Sequence, residues 1–283
     1  MRSPATTHSD TLADDAPVIA VASGKGGVGK SMFVANLAVS LARLGRRVLV
    51  LDADFSLANV DVLLGLAPRF TIQHFFTGEC SLEELIVDGP GGIHVIPAAS
   101  GVSDLARIDR VRRQALVESL ESVRRSHDCL LVDAPAGIGE TVVHLARSAD
   151  RTLVVVTPEP TSLVDAYATI KVLTSGLDIS RVGLIVNGVR DESETRSVHG
   201  QLDRVCRRFL GAGVGLVGQV LHDEHVQQAV REQRSVVELH PNCPASLCFH
   251  RIAARLGRER TGGTPRAIFW QQLVELADES PVH

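Results

Sequence analysis

The chain has 283 residues, 45% hydrophobic and 22% charged, with a formal net charge of -4. That is enough apolar material for one or two domains with a large core, and the acidic balance argues against a surface built throughout for nucleic acid. No stretch approaches the roughly 18 uncharged apolar residues of a membrane-spanning helix, and the N-terminus MRSPATTHSDTLADDAP lacks the apolar segment of a secretory signal, so the protein reads as cytoplasmic.

Residues 1 to 16 are polar and aperiodic and read as a disordered tail. From 18 onward, short runs rich in Val, Ile and Leu predict strands at 18–23, 47–53, 93–98, 129–135, 151–158, 181–187 and 214–221. They show no clean alternation, as expected of strands buried on both faces. Between them lie helical patterns. SMFVANLAVSLARLG, TSLVDAYATIKVLTSG and TRSVHGQLDRVCRRFLG each stop at a glycine, a natural C-cap, and DRVRRQALVESLESVRRSH is amphipathic with a charged outer face. Strands alternating with helices predict an α/β fold: a mostly parallel sheet of seven to eight strands, helices on both faces and right-handed crossovers. One domain is expected from about 17 to 259, followed by a C-terminal segment, 260–283.

The chemistry is concentrated in SGKGGVGKS, residues 23 to 31. Gly24 to Ser31 fits G-x-x-x-x-G-K-[ST], and it follows an apolar strand and opens a helix, the context a phosphate-binding loop requires. Gly24, Gly26, Gly27, Val28 and Gly29 let backbone N–H groups turn inward around phosphate oxygens, and the helix N-terminus adds positive partial charge. Lys30 is placed to reach the β- and γ-phosphates of ATP, and the Ser31 hydroxyl to ligate Mg²⁺. LLVDAPAG ends an apolar strand at Asp133, the position of a Walker B carboxylate. VLVLDAD brings Asp52 and Asp54 to the end of the second strand, two residues apart and therefore on one side. All these residues fall at the C-terminal strand ends, where open α/β sheets bind ligands.

The five cysteines (80, 129, 206, 243, 248) form no CxxC pair and read as reduced thiols. HPNCPASLCFH gathers His240, Cys243, Cys248 and His250, but two prolines interrupt it and its spacing matches no usual zinc finger.

KGGVGKS resembles the deviant Walker A motif of the ParA/MinD ATPases. Within that family, DADFSLANVDVLLGL, VIPAASG and TPEPTSLVDAYATIK are most similar to the FlhG/FleN branch, regulators of flagellar number and placement. The resemblance implies that Lys25 is the signature lysine, reaching across an ATP-dependent homodimer to the partner's phosphates. It implies that Asp54 positions the attacking water, that Asn187 recognises adenine, and that 54–61 and Asp133 to Gly137 are switches I and II. It also implies slow hydrolysis and, as partners, the flagellar GTPase FlhF or flagellar switch and transcription-factor proteins. Min-type division-site and ParA-type DNA-partition ATPases are the alternatives. Charge near the transferring phosphate is the main lever of phosphoryl transfer, which independently favours a role in assembly for a second lysine.

The sequence also departs from the pattern. The tail carries Thr11 to Asp15 where an FlhF-stimulating motif is usual, His222-Asp223 stands in the base-pocket segment, and Ala134 follows the Walker B aspartate. Arginines 110, 112, 113, 124 and 125 are interleaved with acidic residues, which favours a solvated helix face over a nucleic-acid site. In RAIFWQQLVELAD, residues 266–278, Phe269, Leu273, Leu276 and Ala277 share a helix face beside Trp270 and Val274. The resemblance implies a peripheral membrane-targeting helix for anionic lipid. The other reading packs that face on the domain.

Overall fold

The computed structural model describes residues 16–54, 59–97, 110–258 and 270. Along the chain run β1 (Val18–Ser23), α1 (Lys30–Arg43), β2 (Val48–Asp52), α2 (Val60–Leu63), α3 (Ile72–Thr77), α4 (Leu82–Leu85), β3 (Val87–Asp88), β4 (His94–Ile96), α5 (Arg110–Arg125), β5 (Cys129–Ala136) and α6 (Glu140–Ser148). They are followed by β6 (Arg151–Val156), α7 (Pro160–Thr174), β7 (Val182–Val189), α8 (Glu192–Leu210), β8 (Gly215–Leu221), α9 (Glu224–Arg231), α10 (Val236–Leu239) and α11 (Pro244–Leu256). Every predicted strand is present, in one eight-stranded sheet of order β3-β4-β2-β5-β1-β6-β7-β8. All pairings are parallel except β3 with β4. The additional strand, β3, is a two-residue antiparallel edge.

Period-two alternation sends the strand side chains to two buried faces. Ile19, Val21, Val48 and Val50 meet Phe33 and Leu37 of α1 and Phe249 and Ile252 of α11 on one side. On the other, Val18, Ala20, Leu49, Leu51 and Leu130 pack against Phe75 of α3, Leu120 of α5 and Leu145 of α6. Farther along that side, Val154, Val156, Leu184 and Val186 receive Ile170 of α7 and Leu202 of α8. Helices therefore cover both faces and leave the strand ends for the site. Gly45 and Gly211, at φ 80 and 79, are left-handed and terminate α1 and α8.

The sheet ends at the two-residue β3 on one side and at β8 on the other. At the far edge, Arg255 of α11 donates from one guanidinium nitrogen to the carbonyls of Leu216 and Val217 in β8 at 2.8 and 2.9 Å, where the register against β7 shifts. Arg124 is not part of an outer basic face. It is 2% exposed, donates to Glu121 at 2.8 Å and reaches the Ala16 carbonyl at 2.6 Å.

Trp270 is fully buried in the cluster that contains Leu49, Leu130 and Leu145. At this residue the chain beyond α11 packs on the domain. The rest of 266–278, the tail 1–15 and switch I residues 55–58 lie outside the described residues. Trp270→Ala is expected to cost about 3 kcal/mol or more in urea unfolding, the usual cost of emptying a large buried aromatic site. A change within error would show that this ring contributes nothing to the folded domain.

Candidate nucleotide site

The loop between β1 and α1 departs from the sheet through a register shift against β5, between Val21 and Ser23. Gly27 and Gly29 hold φ of 81 and 85, a region that favours glycine. A Cβ at Gly26 or Gly27 would meet nothing within 4 Å, so these positions border open space of the kind a phosphate needs. At Gly24 the constraint is packing. A Cβ there would lie 2.4 Å from the backbone carbon and oxygen of Asp165 in α7, so only glycine permits this approach of loop to helix.

The two lysines of the loop differ in every respect. Lys30, 6% exposed, opens α1 and donates to Asp133 Oδ1 at 2.5 Å. Lys25 is partly exposed and donates to Glu159 Oε2 at 2.8 Å and Thr161 Oγ1 at 3.0 Å, both at the start of α7. Glu159 and Thr161 have no sequence-based assignment here. Their signal lay in TPEPTSLVDAYATIK, which carries no distance information about Lys25.

Asp52 and Asp133 are register partners on the adjacent parallel strands β2 and β5. The second strand ends at Asp52, so Asp54 lies just beyond it rather than on the same strand face. It is nevertheless buried, and its backbone N–H donates to Asp52 Oδ1 at 3.1 Å. Asp52 Oδ2 also accepts from the N–H groups of Asn59 and Val60 at 3.0 and 3.1 Å, tying both ends of the switch I segment to one carboxylate. Burial, followed by the neighbouring Asp133 charge, raises the Asp52 pKa to about 6 against the pull of those three amides. Burial also raises the Asp133 pKa, more than Lys30 and the Ser31 hydroxyl lower it. Asp133 Oδ2 is buried with no hydrogen-bond partner. Two buried carboxylates that resist ionisation side by side, one with an unused oxygen, form a donor set suited to a hard divalent cation such as Mg²⁺, with Ser31 at the adjoining start of α1.

Asp52 makes stability pH-dependent. The folded state holds its proton more tightly than the unfolded chain, so its stabilising contribution is full below the unfolded value of 3.8 and is lost as pH rises through about 6. The difference amounts to about 3 kcal/mol. Asp52→Asn is therefore expected to gain that much stability relative to the unmodified protein between about pH 4 and about pH 7, measured by urea unfolding. Parallel profiles would remove Asp52 as the cause.

Asn187 is buried near the end of β7, and its Nδ2 donates to the Val28 carbonyl at 2.7 Å. It braces the loop from behind; a Cβ at Gly29 would sit 2.5 Å from the same nitrogen. Switch II is tied to β1 by the Gly137 N–H, which donates to the Ser23 carbonyl at 2.8 Å. Lys30 and Ser31 thus open α1, Asp52 closes β2 with Asp54 just beyond it, and Asp133 and Asn187 lie inside β5 and β7, three and two residues before their ends, so β5 runs past the Asp133 end expected from the sequence.

A parallel sheet with a glycine loop leading into α1, a buried lysine and paired carboxylates define a P-loop nucleotide hydrolase. The chain belongs to the ParA family: the family model described as ParA, NUBPL iron-transfer P-loop NTPase, matches residues 16–257. The protein is an ATPase of the ParA/MinD class. It is 41% identical to the antiactivator FleN of Pseudomonas aeruginosa, over 91% of this chain and 93% of that protein. It is 35% identical to the flagellum site-determining protein YlxH of Helicobacter pylori, over 84% and 81%. Among solved structures, the MinC:MinD cell division complex of Aquifex aeolicus superposes with a TM-score of 0.69 at 29% identity, covering 89% of this chain and all of that one. No helix among the described residues is long and apolar enough to cross a membrane.

Proposed function

We propose that this ATPase is a switch that dimerises on ATP, resets by slow hydrolysis, and regulates the number or placement of flagella. The observation that carries the assembly reading is the division of labour between the lysines. Lys30 is committed to the buried site of its own chain through Asp133, whereas Lys25 stands at the loop entrance in a partly exposed pair. Such a pair is worth little and is readily exchanged, leaving Lys25 available for the phosphates bound by a second copy.

In this reading the N–H groups of Gly26 to Lys30 receive the phosphate oxygens of ATP, and Lys30 balances their charge from within the chain. Ser31, Asp52 and Asp133 would hold Mg²⁺, which when bound supplies charge neutralisation at the β- and γ-phosphates. Asp54 accepts a hydrogen bond from the attacking water and orients it. Asn187 adds an amide for the adenine ring, exchanging its present contact with Val28. Lys25 of one subunit completes the charge around the phosphate of the other, so hydrolysis dissolves the contact that assembly created.

The flagellar assignment rests on the identity to FleN and YlxH. FlhF, or a flagellar switch or transcription-factor protein, is the partner that this assignment implies, and peripheral attachment to anionic membrane the location. Deleting the gene and counting flagella per cell tests it: altered number or position is expected, and wild-type flagellation would discard the flagellar reading while leaving the ATPase intact. The MinD-like fold supports a second reading as a division-site ATPase, which the same strain would reveal as displaced septa.

A further inference from the structure

The sequence cluster at 240–250 does not close on itself. The fold instead sets Cys243 beside two residues from the end of β8. Asp223 is the N-cap of α9, His225 lies in its first turn, and Cys243 is the N-cap of α11. One carboxylate oxygen, one imidazole nitrogen and the thiol sulfur all lie within 4.8 Å of one another. We propose that Asp223, His225 and Cys243 bind a borderline-soft divalent ion of the Zn²⁺ class.

The donor set argues for the metal class. Mg²⁺ and Ca²⁺ take oxygen ligands, whereas a mixed oxygen, nitrogen and sulfur set is characteristic of Zn²⁺. Backbone contacts already orient the carboxylate. Asp223 Oδ2 accepts from the Ala245 N–H at 3.1 Å, and Oδ1 from the His225 N–H and Nδ1 at 3.0 and 2.8 Å. The Cys243 thiol is set by Ser246 Oγ at 3.3 Å. Tetrahedral zinc places its ligand atoms about 3.5 Å apart. The remaining contraction falls to His225, whose side chain is 48% exposed and can swing, while Asp223 is 6% exposed and held. The His240 ring packs on that of His225 with centroids 4.3 Å apart, and its buried Nε2 has no hydrogen-bond partner.

The protonation balance is simple. Such an ion takes the carboxylate, the neutral imidazole and the thiolate, so binding forms metal–oxygen, metal–nitrogen and metal–sulfur bonds and displaces the thiol proton of Cys243 to solvent. No electron transfer is involved. The bound ion would fasten the start of α9 to the start of α11.

Cobalt titration of the reduced full-length protein tests this, with Co²⁺ as the optical probe for the Zn²⁺ site. A thiolate-to-cobalt charge-transfer band that saturates at one equivalent and is bleached by Zn²⁺ is expected. Cys243→Ser should abolish the band and His225→Gln should weaken binding about tenfold or more, whereas Cys248→Ser and His250→Gln should leave both unchanged. Absence of the band, its persistence in Cys243→Ser, or unaltered affinity in His225→Gln would overturn the proposal. His225→Gln alters an exposed side chain and keeps the test valid if Cys243→Ser folds poorly.

Discussion

Replacing Lys30 by alanine should lower ATP turnover by on the order of 10³-fold, the usual effect of removing one fixed charge from a transferring phosphoryl group. A second effect follows from the geometry. Lys30 is the hydrogen-bonded cation at Asp133, and both side chains are almost completely buried. Removing one partner of a buried ion pair typically costs about 3–5 kcal/mol, although Asp133 can recover part of this by taking up a proton, a change burial already favours. The loss of stability should therefore be smaller at low pH than at neutral pH. Steady-state phosphate release and urea unfolding at two pH values check both parts. Turnover within tenfold of the unmodified protein would remove Lys30 from the chemistry.

The second large effect is expected at Lys25, with the opposite balance. Lys25→Ala should barely change the stability of the single chain, because its pair with Glu159 is partly exposed and such pairs contribute about 1 kcal/mol at most. It should nevertheless abolish the dimer that forms with a non-hydrolysable ATP analogue and reduce turnover by about 10³-fold, the scale of a charge supplied in trans. Glu159→Gln should act the other way. Releasing Lys25 from its resting partner lowers the cost of assembly, and dimerisation should need up to about fivefold less protein. Sedimentation velocity with and without the analogue reads all three proteins. A Lys25→Ala protein that dimerises and hydrolyses normally would sink the assembly reading.

How much of this could be read from the sequence depended on the range of the interaction. Runs such as RTLVVVTP and RVGLIVN announce strands buried on both faces because Val, Ile and Leu fill consecutive positions. The order of those strands in the sheet is not local, and the two residues of β3 are too few to show any period. The loop, Lys30, Ser31, Asp52 and Asp133 were legible because their motif spacing encodes the strand and helix that position them. The resting partners of Lys25 were not, since Glu159 and Thr161 lie 134 and 136 residues away. Asn187 showed the same limit: its place near a strand end was readable, its grip on the Val28 carbonyl was not. Along the chain Cys243 stands near Cys248 and His250, whereas the fold brings Asp223 and His225 within reach of it, a proximity that sequence spacing does not carry.

The contact of Arg255 in α11 with β8 has a consequence for assembly. An unpaired strand edge is a template on which another chain can grow a sheet. Here one rim consists of a two-residue strand, and on the last strand a guanidinium already engages two backbone carbonyls at a register irregularity that interrupts a flat edge. High local concentration should then favour the reversible, nucleotide-governed contact over open-ended polymer, and Arg255→Ala is the change that would begin to expose the protein to fibre-like growth.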